Sequence, residues 1–321
     1  MAITISGGVQ LSGPVLLDPT GGASPSPSYS FQGSNFGYAS GAFLNATPQV
    51  SNVIEKFSFT SDGNATDVGD LTVARNIGGG QSSSVSGYNS GGYAGPSLGR
   101  INVIDKFPFS SDSNATDVGD TTVARNAGTG HSSSANGYMA GGRDPSNSVN
   151  VIDKFPFASD GNATDVGDLT LARRNPSGQS SSESGYSSGG GSPVKNTIDK
   201  FPFASDSNAT DVGDLTTNVT ATAGQSSSNS GYVSGGDTGF QLTTVQKFSF
   251  SSDGNASNVG DITVARSYAV GQSSTASGYT CGGDLTVAYN IIDKFPTASD
   301  GNATDVGDLT QGKFDMNGQQ Y

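Results

Sequence analysis

The sequence predicts an all-β fold: a six-bladed β-propeller with four-stranded antiparallel blades, preceded by an extended N-terminal arm. Three observations predict it. First, Lys-Phe recurs at Lys56, Lys106, Lys154, Lys200, Lys247 and Lys294, and Gly-Tyr at Tyr38, Tyr88, Tyr138, Tyr186, Tyr232 and Tyr279. Val-Gly-Asp recurs with them at Asp70, Asp120, Asp168, Asp214, Asp261 and Asp308. Self-similarity at a period of a few tens of residues is the signature of a repeat architecture. Second, each unit divides into four strand-sized pieces, with no apolar period of 3.6 residues anywhere. Third, the chain enters the repeat in mid-unit at Gln32 and leaves it at Tyr321, where the missing part of that unit would end. A linear solenoid would be left with two raw half-units, whereas a ring joins them and leaves no open edge.

Taken in order, Met1–Ser28 stands outside the repeat. Ile3 and Ile5 alternate with polar residues, then Val9 and Leu11 do the same after Gly7-Gly8, which is strand patterning broken by glycine. Pro14, Pro19, Pro25 and Pro27 follow and read as a linker. Two readings stand: a frayed terminus, or an arm that orders by adding strands to a partner through Ile3, Ile5, Val9 and Leu11. The propeller domain is expected over residues 29–321, closed by pairing of its two ends.

Within a unit, the first piece is the small, polar Gln81-Ser82-Ser83-Ser84 segment, suited to the innermost strand where blades converge and room is short. The second is Ser86-Gly87-Tyr88-Asn89-Ser90, ended by Gly91-Gly92, where positive φ is available. The third, Val53–Phe59, puts Phe57 and Phe59 on one face. The fourth is expected at Leu71-Thr72-Val73-Ala74, entered through the turn Ser61–Asp67. Pro108, Pro156, Pro202 and Pro296 remove a ladder donor beside the aromatics, which fits an outer strand or the end of one. Of the 27 Phe and Tyr residues, 17 recur in register, so the blades share one packing scheme.

Composition narrows the function. Gly (47) and Pro (13) make about a fifth of the 321 residues, below the roughly 25–30% of a low-complexity chain. The net charge of −13 argues against nucleic-acid binding, which needs clustered Lys and Arg. A single cysteine, Cys281, excludes an intramolecular disulfide framework and a Cys-based zinc site. No apolar run approaches the roughly 20 residues of a membrane span. The first basic residue is Lys56, so a secretory leader with a basic start is not expected.

The run Val68–Arg75, the serines, Gly87-Tyr88-Asn89-Ser90-Gly91-Gly92 and Ile104-Asp105-Lys106-Phe107 together resemble the kelch repeat. Arg75, Arg125, Arg173 and Arg266 match that family's arginine; Val219 and Lys313 stand there in two units, and the family's tryptophan is missing throughout. The resemblance covers roughly residues 29–321. It implies a propeller, and for kelch propellers mostly an interaction role, although fold alone assigns no function. Near-identical Gly/Ser-rich propeller repeats behind an Ile-Thr-Ile-Ser-Gly-Gly start also resemble virion structural proteins of tailed phages, marine cyanophages in particular. That resemblance implies a virion component assembled with other virion proteins or further copies of the chain.

No residue set points to catalysis. His131 replaces the repeat's glutamine (Gln81, Gln179, Gln225, Gln272) and reads as an inner-strand substitution. The several copper ligands of a galactose-oxidase-like propeller are missing. Carboxylates recur in every unit, whereas a glycosidase site is asymmetric. Cys281 takes the place of Ser90 and reads as a small buried residue. The turn Asp62-Gly63-Asn64-Ala65-Thr66-Asp67 has oxygen side chains at alternate positions, as some Ca²⁺ loops do, yet Asp, Gly and Asn are turn formers in their own right, and the turn reading is preferred. The Asn-Ala-Thr sequons are read as turn residues too. The expectation is a non-enzymatic structural or interaction protein of a virion, without cofactor or metal. The alternative is a lectin-like propeller binding host glycans, which exposed aromatics in the blade-top loops would favour, but Tyr93, Phe240 and Tyr289 vary between units.

Overall fold

A computed structural model of the chain describes residues 31–321. The arm Met1–Ser28, with Ile3, Ile5, Val9 and Leu11, lies outside the described residues. The first strands are β1 (Phe36–Phe43), β2 (Val50–Ser58) and β3 (Thr66–Asp70), followed by β4 (Gly79–Ser82), β5 (Ser86–Ser90), β6 (Val103–Pro108) and β7 (Thr116–Asp120). The same four-strand pattern repeats from β8 (Thr129–Ser132) to β23 (Thr304–Asp308), and β24 (Asn317–Gln320) ends the chain. These form six four-stranded antiparallel sheets, five of consecutive strands and one ordered β24-β1-β2-β3. The sheets are the blades of a propeller. In the composite blade Gly37 pairs with Gln320 and Ser40 with Asn317, so the last strand of the chain supplies the inner edge of the first blade.

The repeat's aromatics explain why blades pack face to face. The second-strand tyrosine of one blade sits on the third-strand phenylalanines of the next: Tyr88 lies 5.6 Å from Phe155 and 4.8 Å from Phe157, ring centre to ring centre. Tyr279 closes the circle on Phe57 at 5.4 Å and Phe59 at 4.7 Å. Each such ring pair adds about 0.5–1.5 kcal/mol beyond its area burial. The glycine before each tyrosine is required by the same packing. Gly87 pairs with Phe107 across the strands, and a Cβ on it would lie 2.3 Å from the Phe107 ring. The core is therefore a circle of inter-blade clusters, such as Tyr88, Ile104, Phe155 and Ala163, rather than one central core.

The expected fourth strand needs correction. The outer strand is Thr66–Asp70, and Leu71–Ala74 is the connection to the next blade. An outer strand has a solvated edge and can be polar. The apolar residue that follows is needed in the seam: Leu71 is buried beside Tyr38, Ile54 and Phe107. The prolines fall at the last residue of the third strand, as Pro108 does opposite Ser86.

Antiparallel order separates two kinds of connection. One face, here the upper, carries the links from second to third strand and from each outer strand to the next blade. The lower face carries the first-to-second hairpins and the acidic third-to-fourth turns. The chain enters the described region on the lower face: Gly33 bridges Ser274 beside a lower hairpin, and the Phe31 carbonyl accepts a hydrogen bond from Gln320 Nε2 at 2.6 Å.

Candidate functional site

The recurring charges are used by the scaffold. On the lower face each repeat lysine reaches the turn aspartate of the next blade, from Lys56–Asp112 at 2.5 Å to Lys247–Asp300 at 3.1 Å, and Lys294–Asp62 closes the set. Asp67 Oδ1 accepts from the Gly69 amide at 3.2 Å, and the Asp70 amide donates to Asn114 Oδ1 of the next turn at 3.0 Å. These contacts are the turn and inter-blade roles expected of Asp, Asn and Gly. Among the described residues no group of three or more His, Cys, Asp or Glu stands in a metal-holding arrangement.

The recurring arginines are buried and paired with an aspartate on the third strand of the next blade. Arg75 pairs with Asp105, Arg125 with Asp153 at 3.1 Å, Arg173 with Asp199 at 2.6 Å and Arg266 with Asp293 at 2.9 Å. Burial lowers the pKa of Arg75, Arg125 and Arg173, and the field of the paired aspartate opposes it. The two exceptions to the arginine change together with their partners. Where Lys313 replaces Arg, Glu55 replaces Asp and the pair closes at 2.9 Å; where Val219 replaces Arg, the neutral Gln246 replaces Asp. Among the described residues each fully buried Lys or Arg keeps an acidic partner, so none is left as the uncompensated buried charge that would be costly. Sequence reading found the arginines and missed their partners, although the paired exceptions within one chain carried the signal.

His131 and Cys281 are where the sequence placed them. The imidazole is buried, with Nδ1 3.1 Å from the Gln179 carbonyl and Nε2 3.1 Å from Ser187 Oγ; burial lowers its pKa to about 4. The Cys281 thiol donates to Gln272 Oε1 at 3.1 Å, and burial pushes its pKa up. Both contacts hold adjoining strands together.

What departs from the repeat gathers at the axis. In every unit the residue two after the arginine position (Arg75, Arg125, Arg173, Val219, Arg266, Lys313) adopts a left-handed backbone, with φ between 53° and 58°: Ile77, Ala127, Asn175, Ala221, Tyr268 and Asp315. Each of these amides donates to the carbonyl of the previous one, at 2.7–3.2 Å, and Ile77 N to Asp315 O closes a ring of six hydrogen bonds. A left-handed conformation is costly for Ile and Tyr, and here the closed ring imposes it. Below this ring the inner strands meet backbone to backbone, since a Cβ on Gly130 would lie 2.0 Å from the Gly80 carbonyl oxygen. An axial cavity of about 120 Å³ remains, with Phe31 among the residues around it.

Over the ring lies an upper-face basin of about 430 Å³. Arg100, Arg143 and Arg174 line it together with Asn126, Asn175, Tyr268, Phe314 and Asp315. Arg100 Nε donates to Asn126 Oδ1 at 2.9 Å. The Tyr268 and Phe314 rings stand 6.3 Å apart. Asp315 Oδ2 accepts from Asn76 Nδ2 at 3.1 Å, and burial, with the Asp284 charge beside it, pushes this carboxyl up to about 7. None of these residues was singled out from the sequence. The three arginines could have been, because they are the ones outside the repeat register. The loop aromatics expected of a glycan site stand apart from the basin: Tyr93 and Tyr289 are half-buried, and Phe240 is 82% exposed at a loop tip. Compared with models of known protein families and with curated proteins, the chain matches none.

Proposed function

We propose that the protein is a non-enzymatic interaction propeller that serves as a virion component of a phage, held by its N-terminal arm and presenting its upper face to a partner. The observation that carries the interaction reading is the distribution of exposed apolar side chains. Among the described residues, seven of the nine large ones, Leu98, Val123, Leu171, Val194, Phe240, Leu285 and Val287, stand on the upper-face connections. Apolar tips gathered on one face mark an interaction surface. The recurring lysines and kelch-type arginines, with the carboxylates that pair them, are occupied in scaffold contacts and free no catalytic constellation, which supports the non-enzymatic reading. The virion assignment rests on the phage resemblance of the repeats and the start of the chain. Anchoring through Ile3, Ile5, Val9 and Leu11 is favoured because the chain enters the propeller on the lower face, opposite the apolar tips.

Two variants test this. Deletion of Met1–Leu17 should leave the propeller folded and abolish incorporation into particles, read by mass spectrometry of purified virions. The triple substitution Leu98→Ser, Phe240→Ser and Val287→Ser should be incorporated normally and reduce adsorption to host cells. Normal incorporation without the arm, or failure of the armless chain to fold, would overturn the anchor. Unchanged adsorption of the triple variant would overturn the interaction face.

A further inference from the structure

The cations that no carboxylate neutralises are concentrated over the axial mouth. Eleven of the fifteen Lys and Arg residues are held in ion pairs, six on the lower face and five buried. Of the remaining four, Arg100, Arg143 and Arg174 line one basin, and Lys195 lies in the next upper-face loop. Among the described residues none of these three stands within ion-pair distance of a carboxylate, and the carboxyl that shares the basin with them, Asp315, is pushed up to about 7 by burial. All three are half-buried and line the basin, and Arg100 is held there by its bond to Asn126. The charges of Arg100 and Arg143 reach Asp144, whose Oδ1 already accepts from the Ser146 and Asn147 amides at 2.7 and 2.6 Å.

The rest of the basin is not that of a bare anion trap. Asn126 and Asn175 supply amide groups, and Tyr268 supplies a ring face and a hydroxyl. Asn175 Oδ1 is buried with no hydrogen-bond partner, an acceptor waiting for a donor. The volume of about 430 Å³ is in the range of small-ligand pockets, and the closed six-residue ring forms its floor.

We propose that this basin binds an acidic saccharide of one or two sugar units bearing carboxylate or sulfate groups. Planar guanidinium forks match both anions in bidentate fashion. The asparagine amides and the Tyr268 hydroxyl exchange hydrogen bonds with sugar hydroxyls, and the tyrosine ring covers the apolar face of a pyranose. A basin of this volume suits such a ligand better than an extended acidic peptide, and the negative charge of the rest of the molecule disfavours nucleic acid. The inference rests on the upper face being the binding face, and it names what that face takes.

The test is calorimetric titration of the full chain with digalacturonate, with galactose 6-sulfate and with the neutral dimethyl ester of digalacturonate. At least one anionic sugar should bind with one-to-one stoichiometry and at least tenfold more tightly than the ester, and should weaken as salt rises. The preferred anion then identifies carboxylate or sulfate as the source. Arg143→Ala and Arg174→Ala should each weaken binding at least tenfold with the melting temperature unchanged, whereas Lys195→Ala should change it less than twofold. Equal binding of the ester, indifference to both arginine substitutions, no binding of either sugar, or binding of hexaglutamate in their place would overturn the assignment. The titration needs no particle. Absent sugar binding beside a persisting adsorption defect of the triple variant overturns this inference alone, and intact sugar binding without that defect overturns only the interaction face.

Discussion

Replacing Asp199 by Asn tests the account of the buried ion pairs most directly. The Asp199 carboxylate is fully buried and receives Arg173 Nη2 at 2.6 Å, the Thr170 amide at 2.9 Å and the Thr170 hydroxyl at 2.7 Å. An amide of the same shape keeps one acceptor and loses the counter-charge, leaving a guanidinium buried and uncompensated. Breaking such a pair costs about 3–5 kcal/mol. With an unfolding entropy of about 2.1 cal/mol/K per residue over the roughly 290 residues 31–321, the melting temperature should fall by about 5–8 °C. The fifth blade supplies the compensating design, because Val219 and Gln246 stand where Arg173 and Asp199 do, with Gln246 Oε1 accepting from the Thr216 amide at 2.7 Å. The double variant Arg173→Val/Asp199→Gln should therefore cost much less, giving a coupling energy of about 2 kcal/mol or more in the cycle it forms with the parent chain, Arg173→Val and Asp199→Gln. Calorimetry on the four proteins measures it. Additive losses in the double variant would refute the claim that the pair is kept for mutual compensation.

Two further predictions concern a titrating group and the closure of the ring. His131 has a folded pKa near 4, below its ordinary value of about 6.5, so the unfolded chain takes up the proton first as pH falls. Stability from this group is present above pH 6.5 and is lost as pH drops towards 4, by about 2 kcal/mol at pH 5. His131→Gln, which restores the repeat residue, should flatten that part of the stability profile, and an unchanged slope between pH 6.5 and 4 would contradict it. Deleting Lys313–Tyr321 removes β24, exposing the edge of β1 and stripping buried Glu55 of its partner. The truncated chain should melt earlier and elute as larger species, and one that melts and elutes like the full chain would rule out closure by the chain ends.

Much of this molecule was legible in one dimension because it is written six times. Repetition of Lys-Phe, Gly-Tyr and Val-Gly-Asp identified the blade, and the offset between entry at Gln32 and exit at Tyr321 implied the ring that Gly37–Gln320 pairing closes. The inner serine strands and the structural character of His131 and Cys281 followed from register with their counterparts. The outer strand was misplaced, at Leu71–Ala74 instead of Thr66–Asp70, because apolar β-branched character signals burial and burial in a propeller lies in the seam between blades. Arg100, Arg143 and Arg174 stood out only as departures from the repeat, and nothing in the sequence placed them together. Arg100, Arg143, Arg174 and Tyr268 come from different units and share no motif; ring closure alone brings them to one mouth. Local sequence determines what one blade is, through strand period and packing within and between neighbours. Only closure decides which residues of distant units converge on the axis, since that contact depends on the angle summed around all six blades.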